Sequence, residues 1–405
     1  MTEQSAGPND GRPLRIALLA HLRHPIAPPF MGGMEAHSWH LCRALIARGH
    51  DVTLFASGDS DPALPLSAIC DVHYDAVLPW RDHHGTDRLN AWLDDAHAAA
   101  LERIGAGGFD VVHNNGLHRY PPRWARVTRH PMVTSLHVPP FNPLDRVARD
   151  SGAPFAPFTI TSRVQSGRYW PDGRPDWAHV VPNGIDPADW PYSPVGDGTA
   201  VWFGRIAPNK GPHLAAEAAR IAGIPLTLFG AIEDPDYFQS AVRPHLGDAV
   251  RYGGHLSGAD LARRIGRASV CLATPLWDEP FGLTAIESLA CGTPVAATDM
   301  GAMREVLGPC GTFAPPDDPG ALASAMTAAL RIDRAACRAR VEERFTAEAM
   351  TRAYERLYRS AIAARHAGWP DATFPPCELR PALAAQRGMV ARRGAAPDPG
   401  VFAEK

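Results

Sequence analysis

At 405 residues, the chain is long enough for two or three domains of ordinary size. Hydrophobic residues make up 45% of it and charged residues 20%, as in ordinary globular proteins. Because the formal net charge is −3 and no dense run of Lys and Arg occurs, we expect no nucleic-acid partner, and nothing indicates peripheral membrane contact.

The cysteines and the apolar runs indicate in which cellular compartment the protein is expected. The seven cysteines form no C-x-x-C pair and several lie in apolar runs, so we expect packed thiols rather than disulfides or a zinc site. The N-terminal stretch is polar, and no apolar run approaches the ~18 residues that a membrane-spanning helix needs. We therefore expect a cytoplasmic protein without an integral membrane segment, and the sequence leaves its oligomeric state open.

Short apolar strands alternate with helices in the first half of the chain. LRIALLA (14–20) is typical of a buried parallel strand, and a Pro/Gly-rich loop follows it. Further strands are predicted at 51–57, 109–114, 131–138, 157–162 and 179–183, with helices at about 34–48 and 88–104. This alternation predicts a doubly wound α/β domain.

The alternation restarts after 183–198, a segment rich in Pro, Gly and Asp that we interpret as a linker. Strands are predicted at 200–206, 225–230, 250–254, 269–275 and 294–298, and helices at 213–222, 235–246, 258–267, 283–291 and 347–364. The predicted domains are a Rossmann-like acceptor-side domain at 1–190, a Rossmann-like donor domain at 191–346, a helix at 347–368 that crosses back to the first domain, and a poorly ordered tail at 369–405.

The strongest local motif is DEPFGLTAIESLACGTPV (278–295), in which a turn leads into a helix. The turn at Phe281–Leu283 presents free backbone N–H groups and the positive end of the helix, which together favour an anion. Gly282 lets a ligand approach the backbone closely. Glu279 and Glu287 could then flank one extended ligand, although acidic residues that only complement the helix dipole are the alternative.

Lysine is almost absent from the chain. Of its 40 basic residues, only Lys210 and Lys405 are lysines and the other 38 are arginines. Lys210 lies just after a predicted strand, in VWFGRIAPNKG (201–211). Because the chain uses arginine almost everywhere else, its one interior lysine suggests a functional need for lysine at this position. Chance is the alternative interpretation.

Five short motifs occur in the order found in the retaining family-4 glycosyltransferases. They are GG-x-E (32–35), SLH (135–137), VVPNGID (180–186), FGRIAPNKG (203–211) and DEPFGLTAIE (278–287). The last resembles the E-x(7)-E signature of that family, and the fourth resembles its phosphate motif. The resemblance covers nearly the whole chain and implies the GT-B fold, in which two Rossmann-like doubly wound domains face each other across a cleft.

The resemblance implies roles for particular residues. Arg205 and Lys210 would clamp the diphosphate of a nucleotide sugar, since a guanidinium forks across two oxygens and an ammonium binds as a point charge. Glu287 would bind the ribose hydroxyls, Glu279 a hydroxyl of the donor sugar, and His137 would lie at the sugar. The candidate catalytic residues are His137, Glu279, Arg205 and Lys210. The candidate donor-binding residues are Gly32, Gly33, Arg205, Lys210, Glu279, Pro280, Phe281, Gly282, Leu283 and Glu287.

The implied activity is the retaining transfer of a hexose from a nucleotide diphosphate sugar, with UDP as the commonest nucleotide in the family, to an unidentified small-molecule acceptor. Family members use no metal, and no cofactor is expected beyond the donor itself. The motifs place no carboxylate nucleophile, and the resemblance favours front-face substitution, in which the leaving phosphate takes the acceptor proton.

Polar and aromatic residues at or after strand ends are candidates for the acceptor side, because open parallel sheets bind ligands at the carboxyl ends of their strands. These residues are Asn114, Asn115, His118, Arg119, Tyr120 and Phe141. Ordinary loop residues are the alternative interpretation.

Several competing patterns are weaker. Asp59-Ser60-Asp61 spells the D-x-D of metal-dependent enzymes, but it follows the second strand, where the family has a polar loop. The pairs His83/His84 and His37/His40 lack further ligands at metal spacing, so no metal site is predicted. The Gly-rich stretch 105–108 ends a helix rather than beginning one, which disfavours a nicotinamide site.

Two alternative functions share this fold. One is another GT-B nucleotide-sugar enzyme, such as a non-hydrolysing epimerase, which needs a different set of carboxylates and histidines and no acceptor. The other is a catalytically silent nucleotide-binding relative. The carboxylates and Lys210 are all retained, which favours the transferase.

Overall fold

The computed structural model describes residues 11–386, which contain two parallel sheets. The first sheet has the strand order β3-β2-β1-β4-β5-β6-β7, and the second has the order β10-β9-β8-β11-β12-β13. The strands of the first sheet are β1 (Arg15–Leu19), β2 (Asp51–Ser57), β3 (Leu66–Cys70), β4 (Val111–Asn114), β5 (Met132–Leu136), β6 (Phe158–Ile160) and β7 (Ala178–Val180). Those of the second are β8 (Ala200–Phe203), β9 (Leu226–Phe229), β10 (Val250–Tyr252), β11 (Val270–Ala273), β12 (Val295–Thr298) and β13 (Gly311–Ala314).

Helices cover the faces of both sheets. In the first domain they are α1 (Gly33–Ala47), α2 (Tyr74–Val77), α3 (Trp80–His83), α4 (Asp87–Gly107), α5 (Tyr120–Thr128), α6 (Leu144–Asp150) and α7 (Arg163–Tyr169). After the linker they are α8 (Pro212–Ala222), α9 (Pro235–Tyr237), α10 (Gly258–Arg267), α11 (Leu283–Ala290), α12 (Met303–Leu307), α13 (Pro319–Ala329), α14 (Arg334–Arg344), α15 (Ala347–Ala364) and α16 (Pro381–Ala384).

The central strands are apolar because both faces of each sheet are covered. In β1, Ile16 aligns with Val52 of β2 and with Val111 of β4, and all three side chains are buried. The first strand of each domain, β1 or β8, has neighbours on both sides, and the strand order reverses beside it. The loops at the carboxyl ends of strands diverge at such a point and leave a crevice for a ligand. Both domains are therefore doubly wound, as predicted.

The chain passes between the domains twice, and the two crossings lie side by side. Ile185 accepts a hydrogen bond from the N–H of Ala347 at 2.8 Å and donates its own N–H to Phe345 at 3.0 Å. Helix α15 then packs against α1 and β5, and its Tyr354 and Tyr358 are buried in the core of the first domain. The two crossings form a narrow connection between the domains.

Two segments differ from the sequence-based expectation. The helix expected at 235–246 is broken: α9 ends at Tyr237, a wider helical turn follows at Phe238–Val242, and a 3₁₀ turn ends at His245. Pro244 lies in that last turn and has no N–H to continue the helix.

The tail that was expected to be poorly ordered from residue 369 is partly packed. Leu379 and Leu383 are buried against the first domain, and Glu378 forms ion pairs with Arg123 and Arg146. The apolar residues of 369–386 are few but face one core, which explains why composition alone was a poor guide. Residues 387–405 lie outside the described part of the chain.

Candidate active site

A cavity of about 760 Å³ lies between the two domains, at the carboxyl ends of both sheets. The first domain contributes the loop after β1, the start of α1 and His137. The second domain contributes the loops after β8, β9 and β10 and the segment from Trp277 to Glu287. All of the candidate donor-binding residues line this cavity.

The start of α11 forms one wall, and its geometry depends on Gly282. This residue has φ +88°, a backbone conformation that strains other L-residues, and a Cβ there would lie 2.2 Å from Cε of Met303, which would have to move. The carbonyl of Pro280 accepts hydrogen bonds from Thr161 at 3.0 Å and Ser162 at 2.7 Å, both in the first domain. The turn before α11 is thus hydrogen-bonded to the first domain, and the N-terminal end of the helix, with its free N–H groups, lies at the cavity.

The Gly32-Gly33 loop touches this wall from the opposite domain. A Cβ on Gly33 would lie 2.9 Å from Cδ1 of Leu283. A side chain on Gly33 would therefore have to displace the end of the Leu283 side chain.

Lys210 and Glu279 lie in direct contact. Nζ of Lys210 donates to Oε2 of Glu279 at 2.5 Å, and Nε1 of Trp277 donates to the same oxygen at 2.8 Å. The Lys210 ammonium also lies 4.9 Å from the centre of the Trp277 ring, a favourable cation–π distance. The ammonium is held in place by one carboxylate oxygen and one ring, and the other oxygen, Oε1, has no partner within residues 11–386.

Arg205 leaves the end of β8 and binds a carboxylate that the sequence did not single out. Its Nη1 donates to Oε2 of Glu233, which follows β9. The other oxygen of Glu233 accepts from Nη2 of Arg23, in the first domain, at 2.9 Å. One carboxylate therefore joins two arginines from opposite sides of the cavity.

Glu287 lies on α11 and has no hydrogen-bond or ion-pair partner in the described part of the chain. Burial raises the pKa of its carboxyl to about 7. A carboxyl kept in such surroundings without a partner is unusual, because it costs stability unless a ligand supplies donors. Its position suits a ligand that carries hydroxyl groups.

His137 follows β5 and lies on the first-domain side of the cavity. Its Nε2 lies 3.2 Å from Oδ1 of Asn115, which also lies 3.0 Å from Nε2 of His113. The ring of His37 packs 4.3 Å away, centre to centre. Burial lowers the pKa of His137 to about 4, so this imidazole is neutral near pH 7 and acts there as a polar uncharged group.

The acceptor-side candidates do not line the cavity. His118, Arg119 and Tyr120 all bind the carboxylate of Asp94, at 2.8 to 3.1 Å, and tie α5 to α4. Although burial alone would raise it, the hydrogen bonds and charges of His118 and Arg119 lower the pKa of Asp94 to about 2.

Asn114 is similarly engaged within the first domain. Its amide donates to Thr134 at 3.3 Å and its Oδ1 accepts from the N–H of Gly116 at 3.0 Å. Phe141 is 43% exposed outside the cavity. The geometry therefore gives an acceptor-side role no support at Asn114, His118, Arg119, Tyr120 or Phe141.

The residues of the competing metal patterns have structural partners. Asp59 lies 2.5 Å from Nδ1 of His73, and Asp61 accepts from Nε1 of Trp39 at 2.8 Å. Within residues 11–386, no group of three or more His, Cys, Asp or Glu side chains is arranged to hold a metal ion. Over the same range, no helix has both the length and the hydropathy to cross a membrane.

Two family models match the chain, one in each half. The model described as Glycosyltransferase Family 4 matches residues 31–189, and the model described as Glycosyl transferases group 1 matches residues 197–331. The chain belongs to the group 1, family 4 glycosyltransferases. This confirms the resemblance inferred from the five motifs.

The glycosyltransferase is similar over most of its length to characterised proteins. It is 28% identical over 354 residues to glycogen synthase of Mycobacterium tuberculosis, covering 75% of this chain and 83% of that protein. It is 27% identical over 335 residues to a phosphatidyl-myo-inositol mannosyltransferase of Mycolicibacterium smegmatis, covering 77% and 85%. The chain is thus an enzyme of the transferase class.

The fold is also that of a solved glycosyltransferase, AviGT4 of avilamycin A biosynthesis, which matches with a TM-score of 0.63 at 22% identity and covers 87% of this chain and 98% of that one. The structure of Alr3699/HepE from Anabaena in complex with UDP-glucose matches with a TM-score of 0.65 at 16% identity, covering 86% of this chain and all of that one. At this identity the likeness concerns the fold alone, and it confirms the GT-B architecture.

Sequence reasoning missed Arg23, Glu233 and Trp277 in the site of this glycosyltransferase. Each lies near the end of a strand or in the loop that follows it, which was the available signal. The sequence could not predict which residues Glu233 binds, because its two arginine partners lie 28 and 210 positions away in the chain. The contact with Arg205 depends on how two loops of one domain pack, and the contact with Arg23 depends on how the domains dock, so neither leaves a local sequence pattern.

Proposed function

We propose that this enzyme transfers a hexose from a nucleoside diphosphate sugar to a small-molecule acceptor. The observation that carries the proposal is the convergence of Arg205, Lys210, Glu287 and the N-terminus of α11 on one interdomain cavity. These groups are complementary to a diphosphate next to a ribose, and the volume of about 760 Å³ is in the usual range for small-molecule sites.

UDP is the proposed nucleotide. Its support is the likeness to HepE, whose structure contains UDP-glucose. The match is one of fold at 16% identity, and the ligand panel below tests the nucleotide directly.

The donor would lie with its diphosphate between the Gly32-Gly33 loop and the start of α11. The Lys210 ammonium has three N–H donors, and one of them binds Glu279. The others would bind phosphate oxygens. Glu279 Oε1 would accept a hydrogen bond from the sugar. Glu287 would accept from the ribose hydroxyls, which replaces the partners that its carboxyl lacks in the protein.

The proposed chemistry is front-face substitution with retention. The acceptor oxygen forms its bond to the anomeric carbon on the face from which the diphosphate oxygen departs, and a diphosphate oxygen takes the acceptor proton. Lys210, Arg205 and the N-terminus of α11 stabilise the charge that develops on the leaving group, so no metal ion or cofactor is required in the proposal. The neutral imidazole of His137 would contact the sugar without repelling an oxocarbenium-like centre.

A ligand panel tests the donor site. Melting temperatures are measured with UDP, GDP, ADP and TDP and with their glucose derivatives, since a ligand bound to the native state raises the melting temperature. We expect UDP and UDP-glucose to give the largest increase. A larger increase with another base would correct the nucleotide, and no increase with any of them would overturn the proposal.

A matched pair of variants makes the test specific. Arg205→Ala should abolish most of the increase, whereas Arg220→Ala, which removes an exposed arginine of α8 in the same domain, should keep it. Incubation of the donor without an acceptor is then followed by sugar analysis. Formation of an epimerised sugar would replace the transferase proposal with the epimerase.

A further inference from the structure

Glu233 lies where the two domains meet beside the cavity, between two arginines. Its Oε2 accepts from Nη1 of Arg205, and its Oε1 accepts from Nη2 of Arg23 at 2.9 Å. All three side chains are at least three-quarters buried, at 25% exposure or less. A charged group in this setting is strongly held by its partners, because water competes weakly. We call this arrangement the Arg23–Glu233–Arg205 bridge.

Arg23 is fixed from within its own domain. Its Nε lies 3.5 Å from Oδ1 of Asp75, and its guanidinium lies 5.0 Å from the centre of the Trp80 ring. Only Nη2 reaches Glu233 in the second domain. The hydrogen bond between Arg23 and Glu233 therefore requires the two domains to lie this close.

The guanidinium of Arg205 can donate from several N–H groups, and the one on Nη1 binds Glu233. Its Nε lies on the side of the Gly32-Gly33 loop, 3.8 Å from where a Cβ on Gly32 would be. That side is where the proposed diphosphate lies. A carboxylate on Nη1 sets the rotation of the planar group and so decides which N–H groups point at the ligand.

We propose that Glu233 is a positioning residue for Arg205 and that Arg23 holds Glu233 in place when the domains are closed. Arg23 of the first domain then contributes to diphosphate binding indirectly, through Glu233 and Arg205, and does not contact the diphosphate itself. This inference rests on the proposed function, since it concerns the residue that binds the donor's diphosphate.

A double-mutant cycle tests the bridge. Dissociation constants for UDP, GDP, ADP and TDP are measured by calorimetry for the wild type, and the tightest of these is carried through Arg23→Gln, Glu233→Gln and the double variant. Each single variant should weaken binding about 10-fold, and the double variant should weaken it about 10-fold rather than 100-fold, because both changes break one unit. Arg23→Lys, which keeps a donor for Glu233, should recover most of the affinity.

Arg168→Gln is the matched control, because Arg168 also spans the domains, through an ion pair with Asp278 at 2.8 Å. It should bind the diphosphate within about twofold of wild type. In steady-state transfer, the bridge variants should raise KM for the donor more than they lower kcat. Additive losses, or a Glu233→Gln variant that binds as tightly as wild type, would overturn the inference. If the wild type binds none of the four diphosphates, the proposed function itself fails, which is a separate result.

Discussion

Replacement of Glu287 by glutamine should make the ligand-free enzyme more stable and the donor site weaker. The carboxyl has no partner within residues 11–386, and burial raises its pKa from the ordinary 4.5 to about 7. In the unfolded chain the group loses its proton near pH 4.5, whereas in the folded chain it keeps the proton until about pH 7. The free energy of unfolding therefore falls as pH rises through this window.

The size of the effect follows from the shift. At ~1.4 kcal/mol per pKa unit, a rise of the pKa from 4.5 to about 7 corresponds to about 3.5 kcal/mol above pH 7. This is an upper bound, because part of the side chain faces the solvent-filled cavity. Glutamine keeps the shape and carries no charge, so the Glu287→Gln variant should gain up to that amount at pH 8 and almost nothing at pH 4.5.

Melting temperatures at pH 5 and pH 8 provide the assay. For a domain of this size, ~1 kcal/mol shifts the melting temperature by roughly 2–4 °C, so a gain of several degrees at pH 8 is expected. The same variant should bind UDP at least ~10-fold more weakly, since a hydrogen bond to a charged group contributes about 1.5–3 kcal/mol.

The control is Glu217→Gln, on α8 and outside the cavity, which should change neither property. A Glu287→Gln variant that is less stable at pH 8, or that binds UDP normally, would refute the reasoning. A buried carboxyl that lowers stability is expected at a functional site, where it binds a ligand. Measuring both the stability and the UDP affinity of the Glu287→Gln variant tests this interpretation.

Three further predictions concern contacts described above. Lys210→Arg keeps the charge but not the compact fit against Glu279 and Trp277, and kcat/KM should fall at least ~10-fold; wild-type kinetics would mean that the lysine is an accident of composition. Gly33→Ala should raise the donor KM several-fold because its methyl meets Leu283, and adding Leu283→Ala should restore part of the loss; absence of rescue would show that the contact is not the cause. Arg123→Met leaves Glu378 without one of its buried partners and should lower stability by about 3 kcal/mol in urea unfolding, with little change in donor KM; an unchanged urea midpoint would contradict this account of how residues 369–386 are held.

Much of the fold was readable because each central strand is a short apolar run that is buried on both faces. LRIALLA and SVCLATP are examples, and both lie in the middle of a sheet. Edge elements were harder to find. Strand β3 has no fully buried residue and was not predicted, since its sequence LSAIC has no distinct pattern.

The candidate site was readable where its chemistry is local in sequence. The segment from Glu279 to Glu287 combines a turn, a glycine with positive φ and a helix start, and each of these has a signature over a few residues. The acceptor-side candidates lacked such a signature. They were chosen by position at strand ends, and the partner that engages three of them, Asp94, lies on a helix 24 to 26 residues earlier in the chain.

The central claim is that the interdomain cavity binds a nucleoside diphosphate sugar, and a crystal structure of the enzyme with UDP-glucose tests it most directly. We predict the diphosphate within hydrogen-bonding distance of Lys210 and Arg205, at the N-terminus of α11, with the ribose hydroxyls on Glu287. A nucleotide bound elsewhere, or one bound in the cavity with its diphosphate away from both cations, would contradict the account.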